Sequence, residues 1–242
     1  MTTLFISDLH LSAKRPETSE LFLRFLKEEA KNIDALYILG DFFEVWIGDD
    51  TPNVHDNQMI EALREFSKTC PVYFMCGNRD FLVSRDFERK SGATLLPDPS
   101  VIELYGKPIV LAHGDALCTL DTQYQRFRKF VRHPWVKKLF LKLPLSIRHH
   151  IANLLRHSSS RSKSKPKPTK KQWQFDVALK DVYQSLRKYH SHVLIHGHTH
   201  VPKIHDFILN DQPAKRIVLG EWTNTGSVLA YSPEKIQLKT VS

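Results

Sequence analysis

The chain of 242 residues is poor in cysteine and has no long apolar run. Its three cysteines, Cys70, Cys76 and Cys118, are an odd number without CxxC spacing, which argues against a disulfide-stapled class and predicts reduced, buried thiols in a cytoplasmic protein. No stretch approaches the ~20 apolar residues of a membrane-spanning helix. The first residues, MTTLFISDLH, lack the basic and apolar regions of a signal peptide. These absences predict a protein that stays inside the cell and does not cross a bilayer.

Acidic residues are missing from one long segment. Between Asp121 and Asp176 there is no Asp or Glu, whereas fifteen Lys and Arg residues lie from Arg126 to Lys171. The whole chain has 35 basic and 26 acidic residues, a net charge of +9, so the remainder has 20 basic against 26 acidic residues, a net of −6. The basic excess is therefore local, and it predicts a polyanionic partner or an anionic membrane surface at this segment.

The same segment carries a helical pattern. From Tyr124 to Leu155, apolar residues recur at helical spacing among the cations, interrupted by Pro134 and Pro144. Because proline is well tolerated in the first turn of a helix, the pattern predicts three short helices. We expect a single domain over residues 1–242 with a basic, helical insert at about 122–172. The Ser/Lys/Pro-rich stretch at the end of the insert is expected to be a mobile surface loop.

Five short apolar runs each end in a polar cluster, and helical patterns separate them. The runs are Leu4–Ser7, Leu36–Leu39, Val72–Met75, Ile109–Ala112 and Val193–Ile195, and the clusters that follow are SDLH, GDFFE, GNRD, HGD and HGHTH. This order predicts an α/β fold with buried strands. Because ligand sites of open α/β sheets form at the carboxyl ends of strands, we expect the clusters to converge on one crevice. The tail from Arg216 to Thr240 predicts antiparallel strands that close the sheet.

Side chains in these clusters offer oxygen and nitrogen ligands without thiolate. The candidates are Asp8, His10, Asp41, Asn78, His113, His198 and His200. Such a set suits Mn, Mg, Fe or Zn. Seven ligands are too many for one tetrahedral ion but natural for two ions that share a bridging carboxylate. Asp41, directly after Gly40 at a strand end, is the candidate bridge.

The spacing inside two clusters adds a geometric expectation. Asp8 and His10 are two residues apart, as are His198 and His200. In an extended segment, side chains two residues apart point to the same face, so each pair is expected to grip one ion. His196 either lines the site or packs in the interior, and the sequence leaves both open. Four of the nine glycines lie in the same clusters, which favours a close approach of the backbone.

In this order, the motifs SDLH, GD, GNRD, HGD and GHTH resemble the calcineurin-like metallophosphoesterase superfamily over residues 8–200. The resemblance implies an α/β, four-layer sandwich of two sheets flanked by helices, with the insert as a helical cap. GDFFEVWIGDD (Gly40–Asp50), GNRDFL, HGDALCT and HGHTH are similar to one family within it. That family consists of lipid A pathway diphosphatases of Gram-negative bacteria, which act on an acylated UDP-glucosamine.

The resemblance implies a ligand set, a substrate and a location. Two divalent ions, usually manganese, are implied, the first with Asp8, His10, Asp41 and His200 and the second with Asp41, Asn78, His113 and His198. Substrate contacts are implied at Asn78, Arg79, Asp121, Ser164 or a neighbour of it, Lys170 and His198. An asparagine contact of relatives has no counterpart in KSKPKPTKK. The implied partners are the acylated substrate and an anionic inner-membrane surface, bound peripherally from the cytoplasm, with no obligate protein partner.

One position departs from the wider superfamily, in which a histidine commonly follows the GN motif and is thought to protonate the leaving group. Here Arg79 follows Asn78. An arginine keeps its proton at neutral pH but can hold a phosphate bidentately. The change favours cleavage of a diphosphate, whose phosphate leaving group needs little help from an acid. For the substrate that the resemblance implies, we expect metal-activated water to attack the α-phosphorus, giving UMP and 2,3-diacylglucosamine 1-phosphate, with Asp41, Asn78, Arg79 and His113 as catalytic residues.

Other functions fit parts of the pattern. The same scaffold serves cyclic-nucleotide phosphodiesterases and protein phosphatases, and the basic run Arg156–Lys171 fits a nuclease or nucleic-acid binding. A purely structural module would not need seven converging ligands. Apolar side chains mixed with cations favour an acyl-binding cap and no nucleic-acid partner, although they also fit a simple packing stripe. The apolar residues are Phe127, Phe130, Trp135, Leu139 and Phe140, beside Arg128, Lys129 and Lys138.

Overall fold

A computed structural model describes residues 1–50, 52–164 and 177–242, with the backbone alone over 156–164. In chain order its elements are β1 (Thr3–Ile6), α1 (Pro16–Glu28), β2 (Ala35–Leu39), α2 (Val54–Ser67), β3 (Val72–Met75), α3 (Arg85–Ser91), β4 (Thr94–Leu96), β5 (Ser100–Leu104), β6 (Lys107–Ala112), a 3-10 helix (Asp115–Leu117), α4 (Thr122–Val131), α5 (Pro134–Leu141), α6 (Leu145–Ser164), α7 (Leu179–Lys188), β7 (Val193–His196), β8 (Lys203–Leu209), β9 (Gln212–Val218), β10 (Gly226–Tyr231) and β11 (Ile236–Val241).

The described strands form two mixed sheets. The first has the order β11-β10-β1-β2-β3-β4 and the second the order β5-β6-β7-β9-β8. β1 to β4 run parallel to one another in the first sheet, as do β6, β7 and β9 in the second. Parallel strands end at the same edge of a sheet, so β1, β2 and β3 deliver their following loops to one edge, and β6 and β7 deliver theirs to one edge of the other sheet.

The core is divided into layers by the alternation of side chains along the strands. Phe5 of β1 packs between the sheets in a cluster that also holds Ile109 of β6. The next residue, Ile6, points to the opposite face and packs with Phe22 of α1. Helix α7 covers the outer face of the second sheet through Val182. The result is the expected four-layer arrangement of helices, sheet, sheet and helix.

All five predicted buried strands are confirmed as β1, β2, β3, β6 and β7, but the prediction for the tail is partly wrong. β10 and β11 are antiparallel and extend the first sheet, whereas β9 belongs to the second sheet and runs parallel to β7. Strands β4, β5 and β8 were not predicted, because all three lie at sheet edges and mix covered with exposed positions. The three cysteines are free thiols, two of them buried and one half-buried.

Helices α4, α5 and α6 confirm three helices between Tyr124 and Leu155, but α6 is not short: it has 20 residues and continues to Ser164, into the stretch that was expected to be a loop. Several apolar side chains on them face solvent: Phe130 is 64% exposed, Trp135 74% and Leu139 67%. Phe140 instead packs against the core on the outer face of the first sheet. Among the described residues, no helix combines the length and apolar character needed to cross a membrane.

Candidate metal centre

The loops after β1, β2, β3, β6 and β7 meet where the carboxyl edges of the two sheets adjoin. The first group of side chains consists of Asp8, His10 and His200, whose ligand atoms all lie within 4.8 Å of one another. His200 Nε2 is 3.2 Å from Asp8 Oδ1 and 3.5 Å from His10 Nε2. Asp41 Oδ2 lies 3.9 Å from His10 Nδ1. The four residues of the first predicted ligand set are therefore neighbours.

A second group adjoins the first. Ligand atoms of Asp8, Asp41 and His113 also lie within 4.8 Å of one another, and Asp41 Oδ1 is 3.7 Å from His113 Nε2. Asn78 Oδ1 is 3.0 Å from the same His113 nitrogen. The His198 ring meets the His113 ring edge-on at a centroid distance of 5.2 Å. Asp41 thus contacts both groups, which is the position that a bridging carboxylate needs.

The backbone at these residues is not extended, so strand alternation was the wrong reason for expecting the pairs to converge. Five of the seven candidates have φ in the left-handed region: Asp8 (56°), His10 (51°), Asp41 (52°), His198 (70°) and His200 (62°). Such a conformation costs a non-glycine residue about 1–3 kcal/mol and is held only where the surroundings enforce it. Sharp turns after the strand ends, not the pleat of a strand, direct the side chains inward.

Two glycines permit the close approach of the loops. A Cβ atom on Gly77 would lie 2.2 Å from Asp41 Oδ1, and one on Gly197 would lie 2.3 Å from Asp8 Oδ2. Both distances are far below van der Waals contact, so no side chain fits at either position. The expectation that glycines serve backbone approach is confirmed here.

Hydrogen bonds turn particular atoms toward the centre. Asp8 Oδ2 accepts from Ser7 Oγ at 2.6 Å and from the backbone N–H of His198 at 2.9 Å, which leaves Oδ1 directed at the ligand cluster. His113 Nδ1 lies 2.9 Å from the carbonyl oxygen of Leu39. Because only an N–H can donate to a carbonyl, Nε2 of His113 is the nitrogen available to a cation.

His196 has a packing role. Its Nε2 accepts from Arg216 Nε at 2.9 Å, and its Nδ1 lies 2.8 Å from the carbonyl oxygen of Gly197. Both ring nitrogens are therefore engaged inside the buried interior. Of the two roles left open by the sequence, the structure supports packing.

Burial and the neighbouring charges shift the pKa values of Asp41 and Asp8 in opposite directions. Burial, together with the neighbouring charges of Asp80 and Asp8, raises the pKa of Asp41 to about 7 against the opposing effect of His113. Burial also acts to raise the pKa of Asp8, but His200, His113 and His10 together hold it well below its usual range. In the absence of a cation, the centre thus keeps Asp8 ionised and leaves a proton easily held on Asp41.

The pKa values of the four histidines also shift in opposite directions, two downward and two upward. Burial lowers the pKa of His10 to about 2, with the charge of Arg79 adding to the effect, and burial lowers that of His198 to about 3, with His113 adding. For His113, burial acts to lower the pKa but the neighbouring carboxylates raise it to about 9. The same balance raises the pKa of His200 to about 9. A cation that binds here replaces protons on His113 and His200.

The residues fit a divalent cation. Asp8 Oδ1 and His10 Nδ1 are buried, and within the described part of the chain neither makes a hydrogen bond of good geometry, although His200 Nε2 lies 3.2 Å from Asp8 Oδ1. A buried polar atom without a hydrogen bond costs about 1–3 kcal/mol, and a bound cation would remove that cost for both. The oxygen and imidazole donors also match hard to borderline metals.

The side chain of Arg79 extends into this centre and is held there by ion pairs with two carboxylates. Its Nη1 pairs with Glu44 Oε1 at 2.5 Å and its Nε lies 3.6 Å from Asp41 Oδ2. The side chain is 30% exposed, so one side of the guanidinium faces the open site. Glu44 was not identified from the sequence, although it lies in the GDFFE cluster. This arrangement leaves Arg79 able to bind an anion beside the ligand groups.

Asp80 is a second residue that sequence reasoning missed. Its buried carboxylate accepts from the backbone N–H groups of Phe42 at 2.8 Å and Gly77 at 2.6 Å. It therefore ties the Asp41 loop to the Asn78 loop. The motif GNRD contained the signal, because an aspartate close to a candidate ligand at a strand end has backbone donors within reach.

Asp115, also missed, joins α4 to the ligand loops. Its buried Oδ2 accepts from Tyr124 Oη at 2.8 Å, Arg128 Nε at 2.7 Å and Arg132 Nη2 at 3.2 Å. Arg132 also donates to the carbonyl oxygen of Gly77 at 2.8 Å. Arg128, one of the cations beside the apolar residues of the insert, thus pairs with Asp115 and also with Asp98 at 3.0 Å.

A similar anchor holds α6. Arg148 is 3% exposed, and its Nη1 donates to the carbonyl oxygen of Ile47 and to Asp50 Oδ1, each at 2.9 Å. A Cβ atom on Gly48 would lie 2.6 Å from Arg148 Nη1. The end of the motif GDFFEVWIGDD is therefore explained by contact with α6.

The predicted substrate contacts divide into three groups. Asn78, Arg79 and His198 lie in the centre, as described above. Asp121 is the N-cap residue of α4, and its side chain accepts from the backbone N–H of Tyr124 at 3.1 Å. The Ser164 side chain and all of Lys170 lie outside the described residues, as do the side chains of the basic run Arg156–Lys171 that suggested nucleic acid.

Comparison with known proteins agrees with the fold and the centre. The family model for calcineurin-like phosphoesterases matches residues 1–202. The chain belongs to this family of metal-dependent hydrolases.

Two curated relatives that match nearly the whole chain carry the same enzyme name. The chain is 49% identical over 232 residues to the UDP-2,3-diacylglucosamine hydrolase of Coxiella burnetii strain RSA 331, covering 96% of this chain and 94% of the relative. It is 48% identical over 239 residues to the enzyme of the same name from Escherichia coli O7:K1, covering 98% of each. A solved archaeal phosphodiesterase aligns with a TM-score of 0.51 at 14% identity, over 100% of this chain and 99% of the other, which supports the fold alone.

Proposed function

We propose that this protein hydrolyses the diphosphate bond of UDP-2,3-diacylglucosamine to UMP and 2,3-diacylglucosamine 1-phosphate. The observation that carries the proposal is the placement of Arg79, rather than a proton-donating histidine, beside two adjoining groups of ligands that share Asp8 and have Asn78 and His198 as neighbours. Near-full-length relatives at 48–49% identity are named for this substrate. The reaction belongs to the lipid A pathway.

The cluster is proposed to hold two Mn²⁺ ions that share Asp41. Asp8, His10 and His200 would complete one site, and Asn78, His113 and His198 the other. When bound, such ions lower the pKa of water and neutralise charge on phosphate oxygens. The hydrogen bonds from Ser7 to Asp8 and from His113 to Leu39 keep the ligand atoms directed at the ions before they bind.

The protein's own contribution to the reaction is orientation and charge. Water adds to the α-phosphorus, and the bond from that phosphorus to the bridging oxygen breaks, so the oxygen leaves on the sugar phosphate. Arg79, held by Glu44, would bind the diphosphate and stabilise negative charge that grows on it. Because the leaving group is a phosphate of low basicity, no protonated side chain is required beside it.

Helices α4 to α6 are proposed to bind the acyl chains and the membrane surface. Phe130, Trp135 and Leu139 expose apolar area, and exposed Lys129 and Lys138 lie on the same helices. Each Lys or Arg near an anionic membrane surface contributes about 1 kcal/mol of attraction. These features support a helical cap that draws a lipid substrate from the inner membrane as a peripheral protein. Asp121, Ser164 and Lys170 remain proposed contacts to the substrate.

The proposal is tested by incubating the purified protein with acylated UDP-glucosamine and Mn²⁺ and measuring UMP. We expect UMP from this substrate, little from UDP-glucosamine without acyl chains, and a loss of at least about a hundredfold in Arg79→Met. Arg85→Met, which changes an exposed arginine of α3, serves as the matched control. Rapid turnover of a cyclic nucleotide or of DNA, with none of the acylated substrate, would show that the assignment is wrong.

A further inference from the structure

Glu221 lies beside one candidate ligand, outside the set of seven. It belongs to the loop that joins β9 of the second sheet to β10 of the first. Glu221 Oε2 is 2.7 Å from His200 Nδ1. The other nitrogen of the same ring, Nε2, is directed at Asp8 Oδ1 and His10 Nε2. The imidazole of His200 therefore stands between a carboxylate on one side and the ligand cluster on the other.

The loop that carries Glu221 is fixed on both sides of it. The backbone N–H of Gly220 donates to Ser227 Oγ at 3.1 Å, and that of Trp222 donates to the carbonyl oxygen of Asp8 at 3.0 Å. The Trp222 side chain is fully buried in the core on the outer face of the first sheet. The carboxylate is thus attached to a backbone that is itself bonded to a ligand residue.

A carboxylate in this position decides which nitrogen of the ring carries hydrogen. Nδ1 must donate to Glu221, so Nε2 is the nitrogen that can give its electron pair to a cation in the cluster. His113 is oriented in the same way, but by the neutral carbonyl oxygen of Leu39. A carboxylate partner makes a ligating imidazole more basic as well as oriented, and removing such partners typically lowers metal affinity about 10- to 100-fold.

We propose that Glu221 is a positioning residue that holds His200 in the orientation and tautomer that bind a divalent cation through Nε2. It strengthens the site formed with Asp8 and His10 and leaves the site around His113 unchanged. The inference rests on the metal centre of the proposed function but not on its substrate. Since Glu221 is partly exposed, we expect an effect near tenfold, at the lower end of the range for such partners.

The test measures Mn²⁺ binding alone, by titrating the whole chain and following free Mn²⁺ by electron paramagnetic resonance. We expect Glu221→Ala to weaken one of two sites about tenfold and to leave the other unchanged. Glu221→Gln, whose amide oxygen still accepts from Nδ1, should recover part of the lost affinity. Glu234→Gln, in the exposed turn between β10 and β11, is the matched control and should bind as the wild type does.

The outcomes separate this inference from the proposed function. Two sites of unaltered affinity in Glu221→Ala would overturn the role of Glu221 and leave the proposed metal centre intact. Failure of the wild type to bind Mn²⁺ would overturn both. Equal weakening of both sites, together with a lower melting temperature in the presence of a chelator, would indicate a general structural role and would also reject the proposal.

Discussion

The ligand loops and helices α4 to α6 place their side chains in opposite and equally unusual ways. Asp8 and His113 are ionisable and fully buried, whereas Trp135 and Leu139 are large, apolar and mostly exposed. Soluble proteins ordinarily bury the second kind and expose the first. Both departures lie in regions for which we propose a function, catalysis in the first and lipid binding in the second, although single exposed apolar residues such as Val54 and Ile208 also occur elsewhere.

The regions also use their charges differently from what a count of residues suggests. Arg128, Arg132 and Arg148 belong to the segment without acidic residues, yet each turns inward to carboxylates of the body, chiefly Asp115 and Asp50. The charges of these three arginines are thus partly neutralised where the helices attach. The positive surface that remains available to a membrane is therefore smaller than the net charge of the segment implies.

The largest effect is expected in the ligand loops, when the carboxylate of Asp41, which contacts both ligand groups, is removed. Asp41→Ala should lower the rate of UMP release about a thousandfold while far-UV circular dichroism stays unchanged, because the residue serves binding rather than packing. Asp86→Ala, which alters an exposed pair with Arg89, is the control. Substantial activity in Asp41→Ala would contradict the shared-carboxylate arrangement.

Removing the anchor between the two regions should affect stability. Asp115→Asn leaves Arg128 and Arg132 with a neutral partner in a buried setting, and we expect a loss of about 3 kcal/mol in the free energy of unfolding by urea. Asp206→Asn, which breaks only an exposed pair with Lys215, should change it by less than about 1 kcal/mol. Equal effects of the two substitutions would mean that α4 is not held by this contact.

The ligand region should respond to pH, since Mn²⁺ competes with protons. The raised pKa values of His113 and His200, both about 9, mean that the ion-free protein carries protons on them at neutral pH. Binding must release these protons, so affinity rises with pH, by about tenfold per pH unit for each proton displaced. Calorimetric titration between pH 6.5 and 7.5 measures this slope, and an affinity independent of pH would refute the assignment of these ligands.

The smallest effect is expected in the helical region. Trp135→Ser combined with Leu139→Ser should change the free energy of unfolding by less than about 0.5 kcal/mol, because both side chains are exposed. The KM for the acylated substrate should nevertheless rise several-fold. Leu179→Ser, at an exposed position of α7, is the control for a general loss of apolar surface. A lower free energy of unfolding without a change in KM would show that Trp135 and Leu139 serve packing and not substrate binding.

The sequence was sufficient for the strands buried on both faces and for the ligand types. Runs such as that from Val72 to Met75 stay apolar throughout because both faces of the strand are covered. In edge strands such as β5, covered and exposed side chains alternate, so the sequence has no continuous apolar run to mark the strand. The chemistry of Asp8, His113 and their companions is visible in their residue types, so the candidate centre could be assembled before its geometry was known.

The supporting residues could not be found in the same way. Asp80, Asp115 and Glu221 act through partners that are distant in sequence or lie on another sheet, such as the backbone of Phe42 or the ring of His200. Asp80 and Asp115 lie in the motifs GNRD and HGD, but the motifs do not reveal these distant partners, and nothing in the local pattern of Glu221 distinguishes it from an ordinary surface acid. The left-handed backbone of the ligands was likewise unpredicted, because propensity gives histidine and aspartate only a modest preference for it.

The close contact at Gly77 and Gly197 has a consequence for anyone who would build this centre into another scaffold. Transplanting the seven ligands alone would fail, since two positions that donate nothing to a cation must also be without a side chain. The smallest transferable unit is therefore a set of loops with defined turns, including the glycine positions at which no side chain fits. A catalogue of ligand residues omits the space that lets them meet.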